Sequence, residues 1–176
     1  MAIQIKTLDQ LKTMRRAGLL VGQTLDLLRQ SIKVGMRTDA LDAIAAANIK
    51  RGGGTSNFLG YHGYPATICI SINDEIVHGI PGDRVIQDGD VVSIDCGAII
   101  DGWHGDAAFS VGVGSVDPAD QKMMDVCEES MWRGFAAAKL GGRLTDISHA
   151  VGSYIDSQGK YGILAEYGGH GIGTEM

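Results

Sequence analysis

The sequence predicts an α+β fold, with helices and antiparallel strands in separate runs rather than in strict alternation. Three features carry the prediction. A long helical periodicity opens the chain, two strand patterns meet at Asp101-Gly102, and a pair of helices recurs in the second half.

The first helix is expected over 7–32. Thr7 followed by Gln10 is a capping-box pattern. Leu8, Leu11, Met14, Gly18, Val21, Leu25 and Leu28 then recur at helical spacing. A second helix is expected over 38–51, capped by Thr38 and stopped by Gly52-Gly53-Gly54. A polar loop, 55–65, holds Phe58, Tyr61, His62 and Tyr64. Residues 67–72 alternate as a strand, Asn73-Asp74 turns, and 75–78 starts another strand. Residues 79–90 read as a turn-rich connection.

The stretch 91–111 reads as a hairpin. Residues 91–100 are rich in β-branched side chains, 103–111 form a weaker strand, and Asp101-Gly102 suits a type I′ turn. That turn sets opposite each other residues whose numbers sum to 203, so Gly97 faces Asp106. Asp95 then lies one diagonal away on the same face, about 7–8 Å off at the backbone. Two carboxylates on one face among apolar residues repel each other unless a cation lies between them. Carboxylate oxygens suit hard or borderline divalent ions, and a pair can bridge two of them. The plainer reading is two unrelated surface aspartates.

Beyond the hairpin, Asp117-Pro118 opens a helix to about Leu140, with proline at the first helical position. A fourth helix is expected over 145–158, ended by Gly159. Residues 163–167 read as a strand leading into Gly168-Gly169-His170-Gly171-Ile172-Gly173. An internal repeat is visible: Gly35, Thr38-Asp39, a helix and Gly52 match Gly142, Thr145-Asp146, a helix and Gly159. This predicts a duplicated helix-helix-sheet unit. About 55 residues of sheet follow the first pair and roughly 17 residues follow the second, so the second unit reads as unfinished.

Composition narrows the classes. The 176 residues are 44% hydrophobic and 20% charged, enough for one globular domain over 1–176. A net charge of −6 and no basic run argue against a nucleic-acid surface. No apolar run approaches the roughly 18 residues of a membrane span. The opening residues show no secretion signal. Cys69, Cys96 and Cys127, odd in number and widely spaced, read as reduced thiols and point to a cytoplasmic setting. His170, between glycines, reads as a surface residue or, with two aspartates needing a cation, as a ligand. His78 reads as a core histidine or a site residue. His62, His104 and His149 read as structural. Phe58, Tyr61 and Tyr64 either cover the core or, with Cys69, line a small apolar pocket.

Taken together, YHGYP (61–65), the C-x-S-x-N run of Cys69, Ser71 and Asn73, HGIP (78–81), SIDCG (93–97), DGWHGD (101–106) and GGHGIG (168–173) resemble the type I, bacterial, methionine aminopeptidases along essentially the whole chain. The resemblance implies the pita-bread (creatinase/aminopeptidase) fold, a curved antiparallel sheet backed by helices with an internal pseudo-twofold. It implies two divalent metal ions, of cobalt, manganese, iron, zinc or nickel, held by Asp95, Asp106 and His170, with Asp106 bridging. His78 becomes a catalytic residue that contacts the substrate amide. Phe58, Tyr61, Tyr64 and Cys69 become the methionine pocket, Phe58 standing where other bacterial members often carry Cys. Asn73 falls at a monovalent-cation loop.

The family pattern continues past HGIG into an H-E-x-P motif and a final Glu, and this chain stops before them. The resemblance therefore implies that one His and two Glu ligands are absent, one of those Glu being the family's general base. It also implies an incomplete second repeat and an impaired 176-residue polypeptide. The function implied is metal-dependent removal of the initiator methionine from nascent polypeptides near the ribosome, favouring small second residues. The enzyme is expected to be cytoplasmic and monomeric. A prolidase- or aminopeptidase-P-like enzyme and a non-catalytic pita-bread protein are the alternatives.

Overall fold

The structure is a computed structural model that describes residues 4–164 and 167–175. The chain divides into two compact units, Met1–Ser115 with His170–Met176, and Val116–Gly169. The first holds helices α1 (Leu8–Ser31) and α2 (Thr38–Arg51) and strands β1 (Thr55–Ser56), β2 (Ile68–Ile72), β3 (Val91–Ile100) and β4 (Trp103–Gly112). The second holds α3 (Pro118–Ala137) and α4 (Leu144–Gln158).

In the first unit β3 is the central strand. β4 pairs antiparallel along one edge of it, and β1 and β2 share its other edge. The expected hairpin register holds: Val91 faces Gly112, Gly97 faces Asp106 and Ile100 faces Trp103. Asp101 and Gly102 both take positive φ, 49° and 78°, as a type I′ turn requires. Even-numbered residues of β3 and β2 make the core, with Ile68 beside Cys96, Ile70 beside Ile94 and Ile72 beside Val92. Against this face α1 lays Ala17, Leu20, Val21, Leu25 and Leu28, and α2 adds Leu41, Ala45 and Ile49. Each large aliphatic side chain buried this way contributes about 1.5–3 kcal/mol. The helix comes so close that a Cβ on Gly105 would stand 2.7 Å from the backbone carbon of Ala17 and nitrogen of Gly18.

Thr7 caps α1 as expected, its hydroxyl accepting from Gln10 N–H while the Gln10 side chain accepts from Thr7 N–H. Other expectations are corrected. Thr38 is not a cap but the first helical residue. Its hydroxyl donates to Gly82 O and accepts from Gly82 N–H, clasping the 79–90 connection onto α2. Residues 75–78 form no strand. Glu75 turns back so that its carboxylate accepts from Ile72 N–H, and His78 takes φ 62°, which no strand allows. β2 is buried at all five positions rather than alternating, because Cys69 and Ser71 sit under Tyr64 and the Gly79 backbone.

In the second unit Asp117 caps α3, accepting from Ala119 N–H at 2.7 Å. The helix closes at Ala137, short of the expected Leu140. Thr145 is likewise inside α4 rather than its cap; Asp146 accepts from Arg143 N–H instead. Gly134 lets the pair approach, since a Cβ there would meet Val151 Cγ2 at 2.9 Å. The Arg133 guanidinium lies 4.0 Å from the Tyr154 ring centre. Of the strand expected over 163–167, residues 165 and 166 lie outside the described residues, and 163, 164 and 167 are not in a strand.

Candidate metal centre

Period-2 alternation gives the sheet a second face, opposite the core. On it stand Cys69 and Ser71 of β2, Ser93, Asp95 and Gly97 of β3, and His104, Asp106, Ala108 and Ser110 of β4. Asp95 has Cys69 opposite on one side and Ala108 on the other, and Asp106 has Gly97. The small neighbours leave the carboxylates room. Ser93 and Ser110 close the far end of this face with a 2.7 Å hydrogen bond.

The two carboxyls face each other at low exposure. Burial, then the negative charge of Asp106 and the hydrogen bond between the pair, hold the Asp95 carboxyl well above the usual carboxylate range. Asp106 Oδ1 is buried and has no hydrogen-bond partner among the described residues. A buried carboxylate oxygen left unpaired is costly, and two adjoining carboxyls, acceptor-only once both are ionised, are the donor set that hard and borderline divalent ions take. The residues present therefore fit a divalent metal.

His170 stands at the rim. Its Nε2 is 3.8 Å from Asp106 Oδ2, its Nδ1 is 3.0 Å from Gly171 O, and its side chain is 59% exposed against 17% for Asp106. The segment carrying it is tied to the sheet where His104 N–H donates to Gly173 O at 2.8 Å. Among the described residues no three of His, Cys, Asp and Glu converge tightly enough to enclose an ion. The structure thus brings Asp95 and Asp106 together and leaves His170 within reach of one of them.

The other expected residues distribute as follows. HGIP is hooked to the free edge of β2: Ile70 N–H donates to Gly79 O at 2.9 Å, and Gly79 N–H donates to Ser71 Oγ at 3.1 Å. His78, just before this hook, is exposed and takes a left-handed backbone. The Tyr64 hydroxyl lies 3.0 Å from Gly79 O and 3.1 Å from Ile68 O, joining the aromatic loop to the same edge. Burial, then contact with Cys69, pushes the Tyr64 hydroxyl up, and burial does the same to the Cys69 thiol, so both are neutral. Phe58 is buried and Tyr61 is half-exposed against His62, with ring centres 4.4 Å apart. The Asn73 side chain works structurally, accepting from Val91 N–H and donating to Asp90.

Sequence reasoning read His104 as structural and passed over Asp42. His104 shares the face of Asp106, and its Nδ1 is buried with no partner among the described residues. The alternation of positions 104, 106 and 108 was the available signal. Asp42 of α2 accepts from Thr67 N–H and Ile68 N–H, at 2.8 and 3.0 Å, fixing the start of β2. Nothing local marks it.

Comparison with known proteins identifies the family. Residues 12–176 match Metallopeptidase family M24. The chain is 44% identical over 171 residues to methionine aminopeptidase 1 of Bacillus subtilis, covering 97% of this chain and 68% of that one. It is 46% identical over 177 residues to methionine aminopeptidase 1 of Mycobacterium tuberculosis, covering 97% and 66%. Among solved structures, methionine aminopeptidase of Thermotoga maritima superposes with a TM-score of 0.96 at 34% identity, over 99% of this chain and 70% of that one. Prolidase of Pyrococcus furiosus, 21% identical with a TM-score of 0.80, shares the fold. The chain spans about two thirds of the length of the curated relatives it matches.

Proposed function

Because this chain belongs to metallopeptidase family M24, we propose that residues 1–176 are part of a single peptidase domain whose function is removal of N-terminal methionine from nascent polypeptides in the cytoplasm, and that the β3–β4 hairpin holds its metal. Asp95 and Asp106 are the ligands this chain supplies from its sheet, and His170 is the third. Divalent ions held by these residues would supply an activated water and polarise the scissile carbonyl. His78 contacts the substrate amide, and the Gly79 hook on β2 fixes where that imidazole stands. The neutral Tyr64 and Cys69, with Phe58 and Tyr61, offer the methionine thioether an uncharged, polarisable socket. Asn73 marks a second, monovalent-cation position at the β2–β3 turn.

The observation that carries the reading is the unpartnered, buried Oδ1 of Asp106 beside Asp95. The test is methionine release from a Met-X-Ser peptide set by Mn²⁺- or Co²⁺-loaded protein. Gly or Ala at X is expected to react faster than Leu or Lys. A preference for X-Pro peptides would instead make this a prolidase-like enzyme.

A further inference from the structure

One row of residues across the sheet enters the metal centre at one end only. The β1–β3 pairing sets Thr55 opposite Ile99 and Ser56 opposite Ala98. Carried one residue further, the same register sets Asn57 opposite Gly97, and Gly97 has Asp106 on its other side. Asn57, Gly97 and Asp106 thus form a row with the glycine in the middle. The turn that follows β1 is held in place. Ser56 Oγ donates to Thr67 O at 2.7 Å and accepts from Phe58 N–H and Leu59 N–H at 3.1 and 3.2 Å. Asn57, inside that turn, is 6% exposed.

Gly97 has no side chain, yet the space over it is filled. A Cβ there would stand 1.9 Å from Asn57 Oδ1 and 2.5 Å from Asn57 Cγ and Nδ2. The Asn57 carboxamide therefore occupies the place of the missing side chain. Gly97 does not take positive φ, so the strand calls for glycine here because of this close approach and not because of a turn. Cross-strand partners hold their Cβ atoms about 4.5–5.5 Å apart, which makes the carboxamide the neighbour of Asp106 on its β3 side. A glycine partner alone would leave that flank open to water, but the Asp106 side chain is only 17% exposed.

We propose that Asn57 is a positioning residue for Asp106: its carboxamide, seated on Gly97, walls the Asp106 carboxyl on the β3 side and keeps it turned toward Asp95. A neutral dipole suits the place. A hydrocarbon wall would leave the carboxyl facing an apolar surface, and a third carboxylate would add to the repulsion between Asp95 and Asp106. Groups that fix the orientation of a metal-ligating side chain raise the affinity of the site without touching the ion. The inference rests on the proposed metal centre and adds a residue to it.

The experiment titrates Mn²⁺ calorimetrically into the full chain as wild type, as Asn57→Ala, and as the double variant Asn57→Ala with Gly97→Ser. Urea melts of the same metal-free proteins run beside it. Asn57→Ala is expected to weaken Mn²⁺ binding about 10-fold, the scale of losing a partner of a metal ligand. In the double variant a hydroxyl projects from β3 into the vacated space, and most of the affinity is expected to return. An Asn57 that served the fold alone would lower the urea midpoint of Asn57→Ala and leave Mn²⁺ affinity at the wild-type value, and that result overturns the proposal. So does a folded double variant that binds no better than Asn57→Ala. Failure of wild type to bind Mn²⁺ overturns the metal centre and this inference with it, whereas wild-type binding matched by Asn57→Ala overturns this inference alone.

Discussion

Gly79→Ala probes the hook that positions His78. A Cβ at this position would stand 2.1 Å from Ile70 O and 3.0 Å from Ser71 Cα. Both are backbone atoms of β2, whose Ile68, Ile70 and Ile72 are 0–2% exposed and locked against β3. The strand cannot give, so the 78–80 segment must move outward by about an ångström to restore ordinary van der Waals contact. Three hydrogen bonds then stretch: Ile70 N–H to Gly79 O, Gly79 N–H to Ser71 Oγ, and Tyr64 hydroxyl to Gly79 O. At roughly 1 kcal/mol each, offset where water reaches the loop, the expected loss is about 1.5–3 kcal/mol. With a urea slope near 2 kcal/mol/M for a domain of this size, the midpoint falls by about 1 M. Metal affinity is expected to be unchanged, because Asp95 and Asp106 hang from β3 and β4. Urea denaturation followed by tryptophan fluorescence, paired with Mn²⁺ titration, reads both quantities. A wild-type midpoint with weakened metal binding would refute the assignment of Gly79 to the hook rather than to the metal site.

Two further outcomes are expected. Gly105→Ala should destabilise the protein by about 1–3 kcal/mol, because its Cβ meets α1 backbone, whereas Gly18→Ala, with nothing within 4 Å, should gain about 0.5–1 kcal/mol of helix stability; paired urea melts decide it. Cys127 is exposed while Cys69 and Cys96 are buried, and burial pushes the Cys96 thiol up to about 12. At pH 8 a disulfide reagent should therefore modify one thiol quickly and the other two only on unfolding, which mass spectrometry of the labelled protein can check.

The parts legible in the sequence were those governed by short-range rules. The Asp101-Gly102 turn and period-2 alternation fixed the register that brings Gly97 opposite Asp106, and Thr7 with Gln10 set the start of α1. What local pattern missed was decided by partners far along the chain. Thr38 reads as a cap until Gly82, 44 residues on, takes its hydroxyl. Residues 75–78 read as a strand until Gly79 claims the Ile70 N–H and Glu75 pairs with Arg84. The carboxyl pair itself was visible as two aspartates of one hairpin face. His104 shares the alternation that places Asp106, but the burial of its Nδ1 depends on how the sheet is covered. His170 was visible only as a histidine among glycines, and its nearness to Asp106 depends on the His104–Gly173 backbone bond.

The proposed metal centre rests on Asp95 and Asp106. Calorimetric titration of Mn²⁺ into wild type, Asp106→Asn and Asp101→Asn tests it most directly. Asp101 is an exposed carboxylate at the turn of the same hairpin, paired with Arg16 at 2.8 Å, and controls for general charge loss. Wild type and Asp101→Asn are expected to bind alike, and Asp106→Asn is expected to lose most of its affinity. Without metal, Asp106→Asn should be at least as stable as wild type, because the repulsion with Asp95 is gone. Equal Mn²⁺ binding by wild type and Asp106→Asn would contradict the proposed centre.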